Sequence, residues 1–293
     1  MQRHRYIRFF ISSTFEDMTV ERNLLQEVMS ELEKKYRPEG WQIESVDLRW
    51  GITNEAGVDN RTMQICMNEL SRCQELSPKP NFIILAGQRR GWIPLPERMT
   101  AKEMDALMRK ADNKKRALLG NWYKKDTNCI KEPLYILQPR KGRFVQNDIW
   151  ETEVYRPLLS LLDSNTPSAT EQEIIKGVFT TDDAHEHVVA YIRRLSDVPE
   201  SRAKTYIEGG SKATLLHDML YKAIDKENIY PEKISFAEYG SSIFRTRFKK
   251  EIKKGEKTEK RNDKGQKRGK LKFLPRSFAE NKISHIFATP KWS

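Results

Sequence analysis

The sequence has few cysteines and no pattern that would give them a structural role. It contains three among 293 residues: Cys66 and Cys73 lie seven positions apart, and Cys129 is alone. An odd number without a C-x-x-C pair forms neither a disulfide framework nor a typical zinc site. We therefore expect a reduced, cytoplasmic compartment and no metal centre.

Long apolar runs are also missing. No stretch approaches the roughly 20 apolar residues that a membrane-spanning helix needs. The first ten residues, MQRHRYIRFF, have neither the apolar region nor the small-residue cleavage site of a signal peptide. The sequence therefore predicts neither a transmembrane segment nor export.

Several enzyme motifs are absent as well. The sequence contains no G-x-x-x-x-G-K-[ST], no G-x-G-x-x-G, no G-x-S-x-G and no H-E-x-x-H. These motifs mark P-loop nucleoside triphosphatases, dinucleotide dehydrogenases, α/β-hydrolases and zinc proteases. Nothing in the sequence therefore indicates one of these four classes.

What is present in excess is positive charge, and it lies at one end. Residues 240–293 carry 17 Lys and Arg against five Asp and Glu, which accounts for the whole net charge of +12. We predict that residues 240–293 are a basic tail, disordered or a fraying helix, because they hold too little apolar surface to fold. Residues 244–273 could bind nucleic acid or an acidic surface non-specifically; the alternative is a solvated tail without a partner.

Strand-like and helix-like segments alternate over residues 1–145. Apolar runs begin at Tyr6, Trp41, Asn81 and Glu132, and amphipathic patterns separate them. This alternation predicts a doubly wound α/β domain with a mainly parallel sheet. Residues 146–239 are expected to form a helical or αβ extension packed on it. Within this extension, HVVAYIRRL fits a helix or a strand.

Polar side chains follow three of the predicted strands, and such strand ends meet at one edge of a doubly wound sheet. The candidate ligand-binding residues are Ser12, Ser13 and Thr14 after the first strand, Asp47, Arg49 and Trp50 after the second, and Arg89 and Trp92 after the third. An anion-binding turn, a carboxylate, arginines and tryptophans would suit a nucleotide. Structural roles stay open: the hydroxyls can cap a helix, and Asp47 can pair with Arg22 or Arg49.

Several segments resemble a known family. FFISSTFEDMTVERNLL, VDLRWGI, CMNELSRCQ, FIILAGQRRGWIP, EPLYILQPR and SATEQEI are similar, in order, to the TIR-like domain of unknown function (DUF4062 type) at the N-termini of STAND proteins. There it precedes a NACHT ATPase and often WD40 repeats. The resemblance implies a flavodoxin-like fold and a role in immune-type signalling. Arg90 replaces an aromatic residue common in relatives, so stacking of a base or ring is not indicated at that position. No Walker lysine follows, so the expectation is a separate short gene product or a truncated or frameshifted copy.

The resemblance leaves two functions open. Related TIR domains include enzymes that cleave the nicotinamide–ribose bond of NAD with a glutamate on the helix after the third strand. Glu103 is the nearest match here, while Glu69 matches the family motif on the preceding helix. Glu103 can instead form a capping box with Thr100. We favour an interaction module, without a cofactor, that self-associates or docks TIR-like or STAND proteins; the alternative is an enzyme with NAD as substrate.

Overall fold

The computed structural model describes residues 5–48, 61–126, 133–181, 183–208 and 212–253. They divide into two compact units. The first contains the described parts of residues 1–47, 68–91 and 170–293, and the second those of residues 48–67 and 92–169. The sequence predicted a boundary at residue 145 between domains that are each one continuous segment, whereas these units are each made of several segments. The predicted domain boundary stays a prediction. None of the described helices is long and apolar enough to cross a membrane.

The described residues form strands and helices in alternation. The strands are β1 Arg5–Ser13, β2 Trp41–Val46, β3 Phe82–Ala86, β4 Arg98–Thr100, β5 Tyr123–Asp126, β6 Leu134–Leu137, β7 Val188–Ser196 and β8 Ile229–Ser235. The α-helices are α1 Thr19–Tyr36, α2 Thr62–Leu76, α3 Ala101–Lys110, α4 Asn113–Trp122, α5 Asn147–Trp150, α6 Arg156–Leu159, α7 Ala169–Ile174, α8 Ala184–His187, α9 Glu200–Tyr206, α10 Lys212–Ala223 and α11 Ser242–Lys253. Two π-helical segments, Glu151–Tyr155 and Ile175–Phe179, continue α5 and α7.

A five-stranded parallel sheet forms the centre of the first unit. Its strand order is β2-β1-β3-β7-β8, and each neighbouring pair is parallel. Numbered within this sheet alone, the order is 2-1-3-4-5, which is the flavodoxin-like order of doubly wound folds. The prediction of an α/β fold with a mainly parallel sheet is confirmed, and the ambiguous HVVAYIRRL segment supplies β7.

Side chains of β1 point alternately to the two faces of the sheet, as the two-residue period of a β-strand requires. On β1, Ile7 and Phe9 belong to the core that α1 and α11 share. Phe10 points to the opposite face and packs on Phe82, with ring centroids 5.9 Å apart. On that face Gly177 comes so close to Phe82 that an added Cβ would lie 2.4 Å from the ring. Helices therefore cover both sides.

The second unit is built on a small antiparallel sheet, and this corrects one expectation. The predicted fourth strand, Glu132–Arg140, contains β6, which pairs antiparallel with β4 and β5 rather than joining the parallel sheet. Three of its four residues are only half-buried, whereas every residue of β3 is buried. Half-buried strands are typical of antiparallel sheets, and an apolar run alone does not reveal this difference.

The beginning of the predicted tail is also corrected. Residues 242–253 form α11, and its Phe244 and Phe248 are 0% and 2% exposed within the main core. Arg247 on the same helix donates hydrogen bonds to Glu232 and Glu238 at 2.5 and 2.6 Å. The two aromatic rings, four residues apart, bury enough surface to fix a helix that is otherwise rich in Lys and Arg. The folded body therefore extends past residue 240.

Candidate functional site

The hydroxyls after the first strand are buried and do not cap the following helix. Ser12 and Ser13 are the last residues of β1, and Thr14 follows them at 7% exposure. Helix α1 begins five residues later, at Thr19, and Met18 at its N-cap position makes no side-chain capping bond. The capping interpretation of the three hydroxyls is therefore wrong, because the intervening turn places them too far from the first helical amides.

Ser13 and Asp47 are brought together by Arg22, which is 1% exposed. The guanidinium donates from Nε to Asp47 Oδ2 at 3.1 Å, and from Nη2 to the other carboxylate oxygen. Its third nitrogen, Nη1, donates to the carbonyl and hydroxyl oxygens of Ser13. The pairing of Asp47 with Arg22, which was one of the two structural alternatives, is confirmed. A bidentate arginine–carboxylate pair of this kind fixes both side chains.

A second buried arginine, Arg193 on β7, holds two carboxylates of the first unit. Its Nη1 donates to Glu21 Oε1 and to the Asp17 carbonyl oxygen at 2.8 and 2.7 Å, and its Nη2 lies 3.5 Å from Asp17 Oδ2. The Tyr239 hydroxyl donates to Glu21 Oε2 at 2.8 Å. Gly87 leaves the necessary space, since an added Cβ would lie 2.4 Å from Asp17 Oδ2.

The electrostatics of this cluster are dominated by burial. Burial raises the pKa of the Asp17 carboxyl above its ordinary value, although the Thr14 hydroxyl and Arg193 act in the opposite direction. It raises the pKa of Glu21 in the same way, against the charge of Arg193 and the hydrogen bond from Tyr239. Burial alone would lower the pKa of Arg193, but Glu21 and its neighbours outweigh this and the net shift is upward. The arginine stays charged, and the carboxyls hold protons more tightly than in water.

Ser12 contacts a different partner, on helix α7. Its hydroxyl donates to Glu173 Oε2 at 2.5 Å, and Glu173 on α7 is 8% exposed. In the adjoining loop after β3, Arg89 donates to Glu16 Oε2 at 2.8 Å, and Arg90 donates from Nε to Glu171 Oε2 at 2.7 Å. Each of these three pairs therefore joins polar groups at this edge of the sheet.

The remaining candidates lie elsewhere or outside the described residues. Trp92 belongs to the second unit, is 48% exposed and stacks on Tyr155 with ring centroids 6.3 Å apart. Glu69 forms ion pairs of 3.1 and 2.8 Å with Arg8 and Arg72. Arg49 and Trp50, the candidates after the second strand, lie outside the described residues.

Glu103 occupies a position different from the expected one. Its carboxylate accepts from the Thr100 amide at 2.7 Å and completes the capping box of α3, which confirms the capping prediction. However, α3 belongs to the second unit, whereas Glu173, on α7, belongs to the first; the π-helical segment Ile175–Phe179 and α8 stand between α7 and β7. The topological match of Glu103 to the helix between two parallel strands is therefore wrong. Its catalytic role stays a prediction.

Sequence reasoning missed the residues that organise this edge. Glu21 and Arg193 are fully buried charges, and Glu173 is nearly so. The one available signal was position: Glu21 and Arg22 interrupt the apolar side of an amphipathic helix, where a charge must have a partner. Within the described part of the chain, no group of three His, Cys, Asp or Glu could hold a metal ion.

Comparison with known proteins identifies part of the chain. Residues 8–126 match the model of the domain of unknown function DUF4062. This DUF4062 match agrees with the resemblance seen in the sequence motifs. It spans most of both the β1–β3 region and the segment that carries α3 and α4. No solved structure matches the chain.

Similar curated proteins are much longer than the matched segment. The chain is 38% identical over 125 residues to mouse NACHT domain- and WD repeat-containing protein 1. The aligned segment covers 42% of this chain and 8% of that protein. It is 31% identical over 140 residues to mouse NACHT and WD repeat domain-containing protein 2, covering 46% and 8%. A TPR repeat-containing protein of Dictyostelium discoideum is 26% identical over 253 residues, covering 76% and 14%. The chain therefore spans at most about a seventh of these relatives, and its similarity associates it with NACHT-type proteins.

Proposed function

We propose that the chain is a TIR-like interaction module of a NACHT-type signalling system. In this role it self-associates or docks other TIR-like or STAND-class proteins, without turning over a substrate. The similarity to two NACHT and WD repeat-containing proteins supports the setting of this role.

One structural observation carries the proposal. Arg22 is bonded to both Asp47 and Ser13, which are two of the groups that a nucleotide would need. The side chains of the Arg22–Asp47 pair are only 1% and 3% exposed. Replacing these bonds with a ligand would first require breaking a desolvated ion pair, which is strongly unfavourable. The network instead fixes the ends of β1 and β2 to α1, as a rigid docking scaffold requires.

Sedimentation velocity of the full chain over a wide concentration range tests the proposal. We expect the weight-average sedimentation coefficient to rise with concentration, and no nicotinamide to appear when NAD is added at the highest concentration. A chain that stays monomeric and also releases nicotinamide would overturn the proposal in favour of an enzyme.

The alternative is an NAD glycohydrolase, and Glu173 is the observation that favours it. This glutamate is buried, accepts from Ser12 at the end of β1, and lies on α7 in the connection between β3 and β7 of the parallel sheet. A carboxylate placed beside a developing oxocarbenium ion commonly contributes about 3–4 kcal/mol to transition-state stabilisation. On this alternative, Glu173→Gln abolishes nicotinamide release.

Two further variants identify the glutamate that acts. Glu103→Ala and Glu69→Ala should leave nicotinamide release intact if Glu173 is responsible. Glu103 belongs to an exposed capping box, and Glu69 forms an ion pair with Arg8. Loss of release in Glu103→Ala alone would restore the sequence-based assignment. Absence of release in the wild-type chain, at every concentration, would remove the enzyme alternative.

A further inference from the structure

Two consecutive backbone amides in the loop after β3 converge on one carboxylate oxygen. The Arg90 amide donates to Glu208 Oε2 at 2.6 Å, and the Gly91 amide donates to the same oxygen at 3.2 Å. Successive N–H groups that point into one concavity form a nest, which is a recurring binding geometry for anions. Here the anion is a side chain of the same protein.

The nest is held in place by groups other than Glu208. Gly91 has a φ of +89°, a conformation that favours glycine, and an added Cβ would lie 2.9 Å from Thr14 Cγ2. The Arg90 side chain is 9% exposed and is anchored by its 2.7 Å hydrogen bond to Glu171. Both amides should therefore keep their directions when the carboxylate is removed.

The nest also lies where open α/β sheets bind ligands. β1 is flanked by β2 on one side and β3 on the other, so the chain changes its winding direction between β1 and β3. The loops after these two strands form the crevice of such a switch point. Thr14 follows β1 and Gly91 follows β3, and the contact between them places the nest in this crevice.

Glu208 reaches the nest from a segment that is paired to the same loop. Ile207 forms a parallel bridge with Gln88, and the Glu208 amide donates to the Gln88 carbonyl oxygen at 3.0 Å. The two arginines of the loop already have carboxylate partners, Glu16 for Arg89 and Glu171 for Arg90. The carboxylate of Glu208 therefore meets mainly the backbone dipoles of the nest.

We propose that the amides of Arg90 and Gly91 form a binding site for a phosphate or carboxylate group, and that Glu208 occupies this site as an intramolecular competitor. A ligand enters when its anionic group replaces the Glu208 carboxylate, which then turns into solvent without any change in the strand pairing. The site is independent of the proposed function, since an interaction module or an enzyme could be regulated through it.

Phosphate titration of the full chain tests the proposal. Isothermal titration calorimetry with inorganic phosphate, at constant ionic strength set by potassium chloride, compares the wild-type chain with Glu208→Ala. An intramolecular competitor acts at an effective concentration in the millimolar range, so its removal should tighten phosphate binding about tenfold or more. The matched control is Glu200→Ala, an exposed glutamate at the start of α9, which should bind phosphate like the wild-type chain.

A second variant and a second anion complete the experiment. Glu208→Gln keeps the shape of the side chain without its charge and should give a smaller gain in phosphate affinity. Acetate replaces phosphate in a parallel titration, and the anion that gains more identifies the chemical class of the ligand. If both variants keep the wild-type far-UV circular dichroism spectrum and neither binds phosphate or acetate more tightly than the wild-type chain, the proposal is overturned.

Discussion

Replacing Phe248 by alanine should cost the protein a large part of its stability. Phe248 is 2% exposed on α11, and its ring meets Tyr191 of β7 edge-on at a centroid distance of 5.1 Å. It also lies 6.0 Å from the ring of Phe244. Truncation removes these contacts and leaves a cavity, which for a buried Phe typically lowers the free energy of unfolding by about 3–5 kcal/mol. Whole domains are stable by only about 5–15 kcal/mol.

The assay is urea unfolding of the full chain, followed by far-UV circular dichroism. Phe248→Ala should lower the midpoint without changing the slope of the transition, because the native state stays equally compact. Ile243→Ala is the matched control, since this residue is on the same helix but 67% exposed. It should change the free energy of unfolding by no more than about 0.5 kcal/mol.

Equal stabilities of the two variants would refute the packing of α11 on the main core. The same reasoning predicts different stabilities for two truncated chains. Ending the chain before residue 240 removes both buried Phe side chains and should prevent stable folding. Ending it after Lys253 should leave the midpoint nearly unchanged, because residues 254–293 are rich in Lys and Arg and poor in apolar side chains.

Three further predictions concern charge. Because burial raises the folded-state pKa of Asp17 and Glu21, both groups stabilise the native state below their unfolded pKa, and this contribution is lost as pH rises through the folded pKa. Urea midpoints measured upward from about pH 4, near the ordinary pKa of these acids, should show this fall, and it should be smaller in Glu21→Gln. Asp47→Ala leaves Arg22 as an unpaired buried charge and should lower the free energy of unfolding by about 3–5 kcal/mol; an effect below about 1 kcal/mol in chemical denaturation would contradict the buried pair. Residues 244–273 should bind single- or double-stranded nucleic acid with an affinity that falls steeply with salt; filter binding that is salt-insensitive or sequence-selective would contradict this account.

Local patterns were sufficient to predict part of the first unit. The alternation of apolar runs and amphipathic helices identified β1, β2 and β3, since each element is visible within its own residues. The capping box of Thr100 and Glu103 was likewise predictable, because both partners lie within one helical turn.

Contacts between distant segments were not predictable in the same way. The pair of arginines in VVAYIRRL does not indicate that Arg193 turns inward to Glu21, 172 residues away, while Arg194 remains only half-buried. Phe244 and Phe248 stand four positions apart on one side of a helix. The many Lys and Arg around them nevertheless led to the prediction of a disordered tail. The site at the sheet edge depends on such contacts, so the sequence identified several of its residues without their partners.

Direct binding to a NACHT-type protein is the most immediate test of the interaction-module account. The full chain would be mixed with separately purified mouse NACHT domain- and WD repeat-containing protein 1, a relative that is 38% identical over 125 residues, and followed by sedimentation velocity. The account predicts a saturable, faster-sedimenting species that contains both proteins. It also allows assembly of the chain with the matching segment of the mouse protein expressed alone. Independent sedimentation of both proteins at every concentration, with the chain itself monomeric, would contradict it.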